Sequence, residues 1–207
     1  MKKLYIFDFD GTLVNSIYDS IYCVNKALKL CGKPTYKKDL KTLYYQDFRD
    51  FLKDNDAGKE TEVYTIYNKI YQEYEKPNTF PYNNIKTVLK ELQNKNITLA
   101  ICSNREEKFL KYFTKKLFKD INFKYISGYK KNIPDKPNPY RLNEIIKKEN
   151  IKKEEVLYFG DKDADINAAK NAGIDMVLVK YGQGNIKDYE NTYPIKIIET
   201  PIEILDL

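Results

Sequence analysis

Two acidic residues, Asp8 and Asp10, lie one residue apart at the end of a short apolar run near the start of the chain. Side chains alternate along a strand, so both carboxylates leave it on the same side. Two carboxylates this close repel each other unless a cation lies between them or one of them stays protonated. The pair therefore indicates a divalent metal site, an acid/base pair, or both. The alternative is a strand that runs into an Asp-Gly hairpin turn.

Three later apolar runs also resemble buried strands that end in polar residues: residues 97–102 before Ser103 and Asn104, residues 156–160 before Asp161, and residues 176–179 before Lys180. Amphipathic segments between them predict helices at residues 83–94, 106–118, 138–150 and 163–172. Apolar strands that alternate with helices predict an α/β fold with a parallel sheet covered by helices on both faces. Ligands bind beyond the carboxyl ends of such strands, so we expect Asp8, Asp10, Ser103, Asn104 and Asp161 in one crevice.

The stretch from residue 15 to residue 80 breaks this alternation. It carries helical patterns at residues 16–30, 39–53 and 60–75, without a convincing strand. We interpret residues 15–80 as an all-helical cap domain inserted into an α/β core of residues 1–14 and 81–207. The insertion is rich in tyrosine, and most of these rings are expected to pack in its core.

Composition narrows the class of protein. The chain has 207 residues, 42% of them hydrophobic and 32% charged, which is typical of a globular protein. No apolar run approaches the roughly 20 residues that a membrane span needs, and the N-terminus does not resemble a signal peptide. Three cysteines cannot all pair, so reduced thiols in a cytoplasmic protein are expected.

The chain contains no histidine. This excludes Ser-His and Cys-His nucleophile systems and histidine-bearing zinc sites, so acid/base work must fall to Asp, Glu, Lys, Tyr or Cys. The net charge of +6 could indicate an anionic partner, but the Lys-Lys pairs are scattered along the whole chain. This scatter argues against a dedicated nucleic-acid surface.

Four segments resemble the ordered motifs of the haloacid dehalogenase superfamily: residues 8–16, 103–104, 136–139 and 160–165. The helical insertion after the first segment resembles the cap of the branch that includes phosphoglycolate phosphatase and beta-phosphoglucomutase. The resemblance implies a Rossmann-like core with a cap. True dehalogenases lack an acid at the position of Asp10, so this residue indicates phosphoryl transfer.

The resemblance also assigns roles to individual residues. Asp8 is the expected nucleophile and forms an aspartyl-phosphate, and Asp10 is the expected general acid/base, which requires a raised pKa. Mg²⁺ is the expected cofactor, held by Asp8, the backbone carbonyl of Asp10, Asp161 and water. Asp165 is expected to hold a metal-bound water or to orient a lysine. Substrate binding falls to Ser103, Asn104, Lys136, Gly11 and Thr12, with the lysine ammonium and the serine hydroxyl also serving catalysis.

We therefore expect a Mg²⁺-dependent phosphatase acting on a small phosphorylated metabolite, with phosphoglycolate as the first choice. A phosphomutase, a pyrophosphatase or a nucleoside monophosphatase on the same core are alternatives. A catalytically silent protein or a nucleic-acid-binding protein would belong to a different class. We expect no nucleic-acid or membrane partner, and a monomer or a homodimer.

The segment at residues 39–49 lacks the glycine that the specificity loop of the cap usually has. The resemblance therefore implies the reaction but not the substrate. Lys41 and Arg49 are candidates there for binding a second anionic group, although a role as surface charges is favoured.

Overall fold

A computed structural model describes residues 1–38, 48–184 and 186–207, apart from the side chains of Arg49, Ile186 and Asp188. The described strands are β1 (Leu4–Phe7), β2 (Val14–Asn15), β3 (Phe80–Pro81), β4 (Thr98–Glu106), β5 (Phe123–Tyr129), β6 (Val156–Gly160), β7 (Asp175–Val179) and β8 (Lys196–Ile198). The described helices are α1 (Ile17–Leu30), α2 (Phe48–Asp54), α3 (Glu62–Glu73), α4 (Ile85–Asn94), α5 (Glu107–Leu117), α6 (Tyr140–Glu149) and α7 (Asp163–Ala172).

Six strands form one parallel sheet in the order β5-β4-β1-β6-β7-β8. The first strand lies in the middle, where Leu4 is opposite both Thr98 of β4 and Val156 of β6. The three strands that precede the predicted site residues are therefore neighbours, and their carboxyl ends share one edge. The predicted α/β fold with a parallel sheet is confirmed.

Alternation along β1 builds a core on each face of the sheet. Tyr5 and Phe7 pack in a cluster with side chains of α4 and α5, whereas Leu4 and Ile6 pack with side chains of α6 and α7. The Phe7 ring stacks on that of Phe159 with 4.7 Å between centroids. Each such buried side chain contributes about 1.5–3 kcal/mol. Burial on both faces explains why these strands are apolar throughout.

The helices between β2 and β3 have an apolar cluster of their own. It joins α1, α2 and α3 through Ile21, Val24, Phe51, Val63 and Tyr67, and it is separate from the two clusters that flank the sheet. The described part of this segment is helical, as predicted, while residues 39–47 of the predicted middle helix lie outside the described residues. The division into two domains remains a prediction.

The two chain crossings into this helical segment lie side by side. Asn15 of β2 is opposite Phe80 of β3 in an antiparallel pair. Just beyond, the buried Asp19 of α1 accepts hydrogen bonds from Asn78 N at 3.1 Å, Asn78 Nδ2 at 3.2 Å and Thr79 Oγ1 at 2.8 Å. The first helix of the segment is thus bonded to the connector through which the chain returns.

Two strands of the sheet were not predicted. β5 and β8 are the edge strands, and Lys124 of β5 and Lys196 of β8 are exposed. An edge strand that is partly open to solvent does not show the continuous apolar run of a central strand. Within the described ranges, no helix combines the length and the apolar character that crossing a membrane requires.

Candidate active site

The carboxyl edge of the sheet brings Asp8, Ser103 and Asp161 together, each directly after or near the end of one of the three central strands. Asp8 N donates a hydrogen bond to Phe159 O at 2.8 Å, which continues the pairing of β1 with β6. The exposed fractions of Asp8, Ser103 and Asp161 are 5%, 2% and 0%. Buried polar side chains at one edge are costly unless they have partners, so the contacts of each one are informative.

Lys136 enters this edge from the loop before α6. Its Nζ donates to Asp8 Oδ1 at 2.6 Å, to Asp165 Oδ1 at 2.6 Å and to Tyr158 OH at 3.0 Å. Burial alone would lower the pKa of Lys136, but the charges of Asp165 and Asp8 raise it above its usual value. The ammonium therefore stays charged, and it holds two carboxylates together that would otherwise repel each other.

Asp165 lies in the first turn of α7 and connects the loop after β6 to Lys136. Its Oδ2 accepts from the backbone N–H groups of Asp161 and Lys162, both at 3.2 Å. Its Oδ1 accepts from Tyr158 OH at 2.6 Å. A carboxylate at this place satisfies backbone donors at the start of the helix. Asp163 is exposed at the start of the same helix, which begins where the predicted helix at residues 163–172 begins.

Asp161 is less well paired than Asp8 and Asp165, which both bond to Lys136, and one of its oxygens has no hydrogen-bond partner in the described ranges. Its Oδ2 accepts from Gln183 N at 2.7 Å, whereas its buried Oδ1 finds no donor among residues 1–38, 48–184 and 186–207. Burial raises the pKa of Asp161 well above its usual value, and the neighbouring charges of Asp165 and Asp8 add to this rise, while Lys162 opposes it. An ionised Asp161 in this place calls for a cation.

A divalent metal ion fits this donor set. Carboxylate oxygens of Asp8, Asp161 and Asp165 lie within 4.8 Å of one another. When ionised they carry three negative charges against the single charge of Lys136. Burial, followed by the charges of Asp165 and Asp10, raises the pKa of Asp8 to about 6 despite Lys136. Hard oxygen donors with an excess of negative charge are what Mg²⁺ prefers.

Gly11 makes room for this acid cluster. Its φ of +86° lies in the left-handed region, and a Cβ built on it would come within 1.9 Å of Asp161 Oδ2. Only glycine satisfies both conditions. The next residue, Thr12, is fully buried, and its carbonyl oxygen accepts from Tyr181 OH at 3.2 Å.

Asn104 is bonded to the loop that carries the lysine. Its Oδ1 accepts from Lys136 N at 2.9 Å, and its Nδ2 donates to Lys136 O at 3.1 Å. Arg141 of α6 adds a second connection, because its guanidinium donates to Ser103 O, to Asn104 Oδ1 and to Asp135 Oδ1. The helix α5 begins after Glu106, so Ser103 and Asn104 lie in β4 and do not cap that helix.

Asp10 is paired with Arg105. Its carboxylate accepts from Arg105 Nε at 2.8 Å, from Arg105 Nη2 at 2.6 Å and from Ser16 Oγ at 2.5 Å. Burial favours a raised pKa for Asp10, but the charge and hydrogen bonds of Arg105, with the bond from Ser16, lower the pKa overall. The expected rise in the pKa of Asp10 is therefore wrong for this arrangement, because the nearest charge is a cation and not another acid.

The site contains contributors to which the sequence analysis gave no role: Ser16, Arg105, Arg141, Tyr158 and Gln183. Arg105 directly follows the Ser103-Asn104 motif, so an arginine beside a motif was the available signal. Arg141 and Gln183 gave no signal, because they reach the site only through the fold. Lys41 lies outside the described residues, as does the side chain of Arg49.

The similarity to known proteins extends over nearly the whole chain. A phosphoglycolate phosphatase from Aquifex aeolicus is 30% identical over 203 residues, which cover 95% of each chain. Another from Vibrio parahaemolyticus is 25% identical over 99% of this chain and 95% of its own length. A crystal structure of a predicted phosphoglycolate phosphatase from Haemophilus somnus superposes with a TM-score of 0.83 at 25% identity, covering 99% of this chain and 97% of its own.

The family model described as haloacid dehalogenase-like hydrolase matches residues 5–179. This range includes all four motif segments and the whole helical insertion. The chain therefore belongs to the haloacid dehalogenase-like hydrolase family.

Proposed function

We propose that this hydrolase is a Mg²⁺-dependent phosphatase that cleaves a small phosphomonoester through an aspartyl-phosphate on Asp8. One observation carries the proposal: the buried Asp8 carboxylate lies 2.6 Å from the Lys136 ammonium, inside a cluster of acids that calls for a cation. A nucleophilic carboxylate and a phosphate dianion repel each other, so positive charge must surround both.

In the first half-reaction, an oxygen of Asp8 attacks phosphorus and the bond to the ester oxygen breaks. Lys136 balances the charge of the transferring group. The Ser103 hydroxyl accepts a hydrogen bond from Arg105 N at 3.4 Å, so its own hydrogen can be donated to a phosphoryl oxygen. Both side-chain atoms of Asn104 are bonded to Lys136, which favours a role in positioning the lysine over the expected contact with phosphate.

Asp10 exchanges the protons of the reaction. It donates a proton to the departing alkoxide and then accepts one from the water that hydrolyses the aspartyl-phosphate, which restores the starting state. The pair with Arg105 leaves Asp10 ionised, which suits the second step. For the first step the pair must open so that Asp10 can carry a proton.

Asp8, Asp161 and the backbone carbonyl of Asp10 are the proposed ligands of Mg²⁺, with Asp165 close enough to orient a bound water. When bound, the ion supplies positive charge that screens the carboxylate from the phosphate and polarises the phosphoryl oxygens. The backbone N–H of Gln183 holds Asp161 for this purpose, and Gly11 leaves the space that Asp161 occupies.

Phosphoglycolate is the proposed substrate, since relatives with 25–30% identity over nearly the full chain carry that activity in their names. The protein is then expected to work on a small phosphorylated metabolite without a nucleic-acid partner.

The test is release of inorganic phosphate from a panel of phosphomonoesters, with Mg²⁺ and with chelator. We expect the native protein to release phosphate only in the presence of Mg²⁺. In Asp8→Asn we expect turnover to fall by about a thousandfold or more. Asp163→Asn is the matched control, because it makes the same change on an exposed residue at the start of α7. Turnover that is indifferent to Asp8 would contradict the proposal.

A further inference from the structure

Arg105 has a hydrogen-bond donor that its partner does not use. Its side chain is 6% exposed, and two of its nitrogens hold the two oxygens of Asp10. The third nitrogen, Nη1, is buried and has no acceptor in good hydrogen-bond geometry in the described part of the chain. The nearby Tyr71 hydroxyl interacts with the guanidinium, which opposes the burial that raises the pKa of Tyr71. A buried charged donor without an acceptor is costly, so an acceptor is expected at this place when the site is in use.

The surroundings of this donor strengthen its interaction with a bound anion. The guanidinium carbon lies 5.9, 5.7 and 5.2 Å from the ring centroids of Phe9, Tyr71 and Phe113. These rings exclude water from the cation, and the interaction of a charge with an anion grows as water is excluded. Tyr71 comes from α3 of the helical insertion, whereas Arg105 is in β4, so the donor lies where the insertion meets the sheet edge.

A second buried cation nearby is already satisfied. Lys76 is 2% exposed, and its Nζ lies 4.4 Å from the ring centroids of both Tyr71 and Phe109. Its ammonium donates to Tyr71 O at 2.5 Å and to Tyr74 O at 2.8 Å, at the carboxyl end of α3. Lys76 therefore adds positive potential where the insertion meets the sheet edge, while Arg105 supplies the unused hydrogen-bond donor.

Resting on the proposed function, we infer that Arg105 is a specificity-determining residue that binds a second anionic group of the substrate, a carboxylate attached to the leaving group. Asp10 exchanges its proton with the ester oxygen, so the leaving group must lie against Asp10. A carboxylate two bonds beyond that oxygen then comes beside the Arg105 guanidinium, where it can accept from Nη1 and, once the pair with Asp10 opens for the first step, from a second nitrogen. Arginine suits this task because its planar fork matches the two oxygens of a carboxylate.

The competing explanation is that Arg105 only positions Asp10. The two explanations differ in what happens when the substrate has no carboxylate. We therefore compare phosphoglycolate with hydroxyethyl phosphate, an ester of similar size whose carboxylate is replaced by a neutral hydroxymethyl group. The measured quantity is the ratio of kcat/KM for the two esters, because any effect through Asp10 is shared by both and cancels in the ratio.

In Arg105→Gln, we expect this ratio to fall by about 100-fold, mostly through the KM for phosphoglycolate. Arg105→Lys keeps the charge but loses the fork, so it should lose part of the preference, and it replaces Arg105→Gln if that variant does not fold. Lys116→Gln, at an exposed position of α5, is the control for the loss of one positive charge. A ratio that changes by less than about threefold in both Arg105 variants would overturn the inference.

A binding measurement separates failure of the inference from failure of the proposed function. Calorimetric titration in Mg²⁺ compares phosphonopropionate, a stable analogue of phosphoglycolate, with propylphosphonate, which lacks the carboxylate. We expect the native protein to bind phosphonopropionate more tightly, and Arg105→Gln to bind both equally. If the native protein turns over neither ester, the proposed function fails, and the titration still decides: equal affinity of the native protein for both phosphonates would refute the role of Arg105.

Discussion

The side-chain amide of Asn104 and the backbone of Lys136 exchange two hydrogen bonds, at 2.9 and 3.1 Å. Asn104 belongs to β4 and Lys136 to the loop before α6, so the pair joins the sheet edge to a loop that has no strand of its own. The position of the lysine ammonium beside Asp8 therefore depends on an asparagine 32 residues earlier in the chain.

Replacing Asn104 tests this dependence. In Asn104→Ala the backbone of Lys136 loses both bonds, so the ammonium is held less firmly and kcat should fall by about 100-fold. The affinity for Mg²⁺ should not change, because Asp8 and Asp161 keep their places. Steady-state kinetics and a metal titration provide the two readouts, and Asn167→Ala, at an exposed position of α7, is the control. Unchanged kcat in Asn104→Ala would show that the loop holds its shape without this pair.

Gly11 and Gly32 offer a matched comparison. Both have positive φ, but a Cβ on Gly11 would meet Asp161 at 1.9 Å, whereas a Cβ on Gly32 meets nothing within 4 Å. Gly32→Ala should cost about 1 kcal/mol of stability through backbone strain and leave activity intact. Gly11→Ala should cost at least about 2 kcal/mol and abolish phosphate release, since Asp161 must move. Urea unfolding and phosphate assays of both variants decide; equal losses of stability would contradict the clash.

The raised pKa of Asp8 predicts how stability depends on pH in the metal-free protein. The folded protein holds the Asp8 proton up to about pH 6, whereas the unfolded chain releases it near pH 4. The folded state therefore binds more protons between these values, and its stability falls as pH rises through this window. Asp8 should contribute a loss of up to about 3 kcal/mol that is complete above pH 6 or so.

Other acids titrate in the same range, so the measurement is the difference between the native protein and Asp8→Asn. Unfolding by urea with chelator present should show Asp8→Asn gaining stability relative to the native protein as pH rises from about 4 to about 6. Curves that run parallel across this window would show that Asp8 has an ordinary pKa.

Mg²⁺ should stabilise the folded protein through Asp161. An ion that binds only the folded state at 100 times its Kd adds about 2.7 kcal/mol, which raises Tm by roughly 5–10 °C for a chain of this length. Asp161→Asn should abolish this rise, and Asp163→Asn should keep it, because Asp163 is exposed and lies outside the acid cluster. Thermal unfolding with and without Mg²⁺ makes the comparison. A rise of equal size in Asp161→Asn would place the ion elsewhere.

Strands were predicted correctly from the sequence where the side chains on both faces of a strand are buried. The strand at Val156–Gly160 and the helix at Asp163–Ala172 have the predicted bounds, because a strand covered on both faces is apolar throughout and the helix ends at a glycine. β5 was missed because only some of its side chains face the core. Alternation with charged residues on a sheet edge is hard to distinguish from a loop.

The candidate site shows the same division. Asp8, Ser103 and Asp161 could be placed together from sequence, because parallel strands of one sheet share a carboxyl edge. Arg141 and Gln183 could not be placed, since they reach the edge from a helix and from a loop without any local pattern. The pKa of Asp10 was misjudged for a related reason: the neighbour that sets it, Arg105, is 95 residues away in the chain.

Asn15 and Phe80 are opposite each other in β2 and β3, so the chain leaves the sheet and comes back at one point. A segment whose two ends meet can be lengthened, shortened or exchanged while the strands on either side keep their spacing. Residues 16–79 can therefore be treated as a cassette. A gene that acquires a different cassette between these two residues would keep the chemistry proposed for Asp8 and the Arg105 of β4, and would change only the side chains that the insertion contributes.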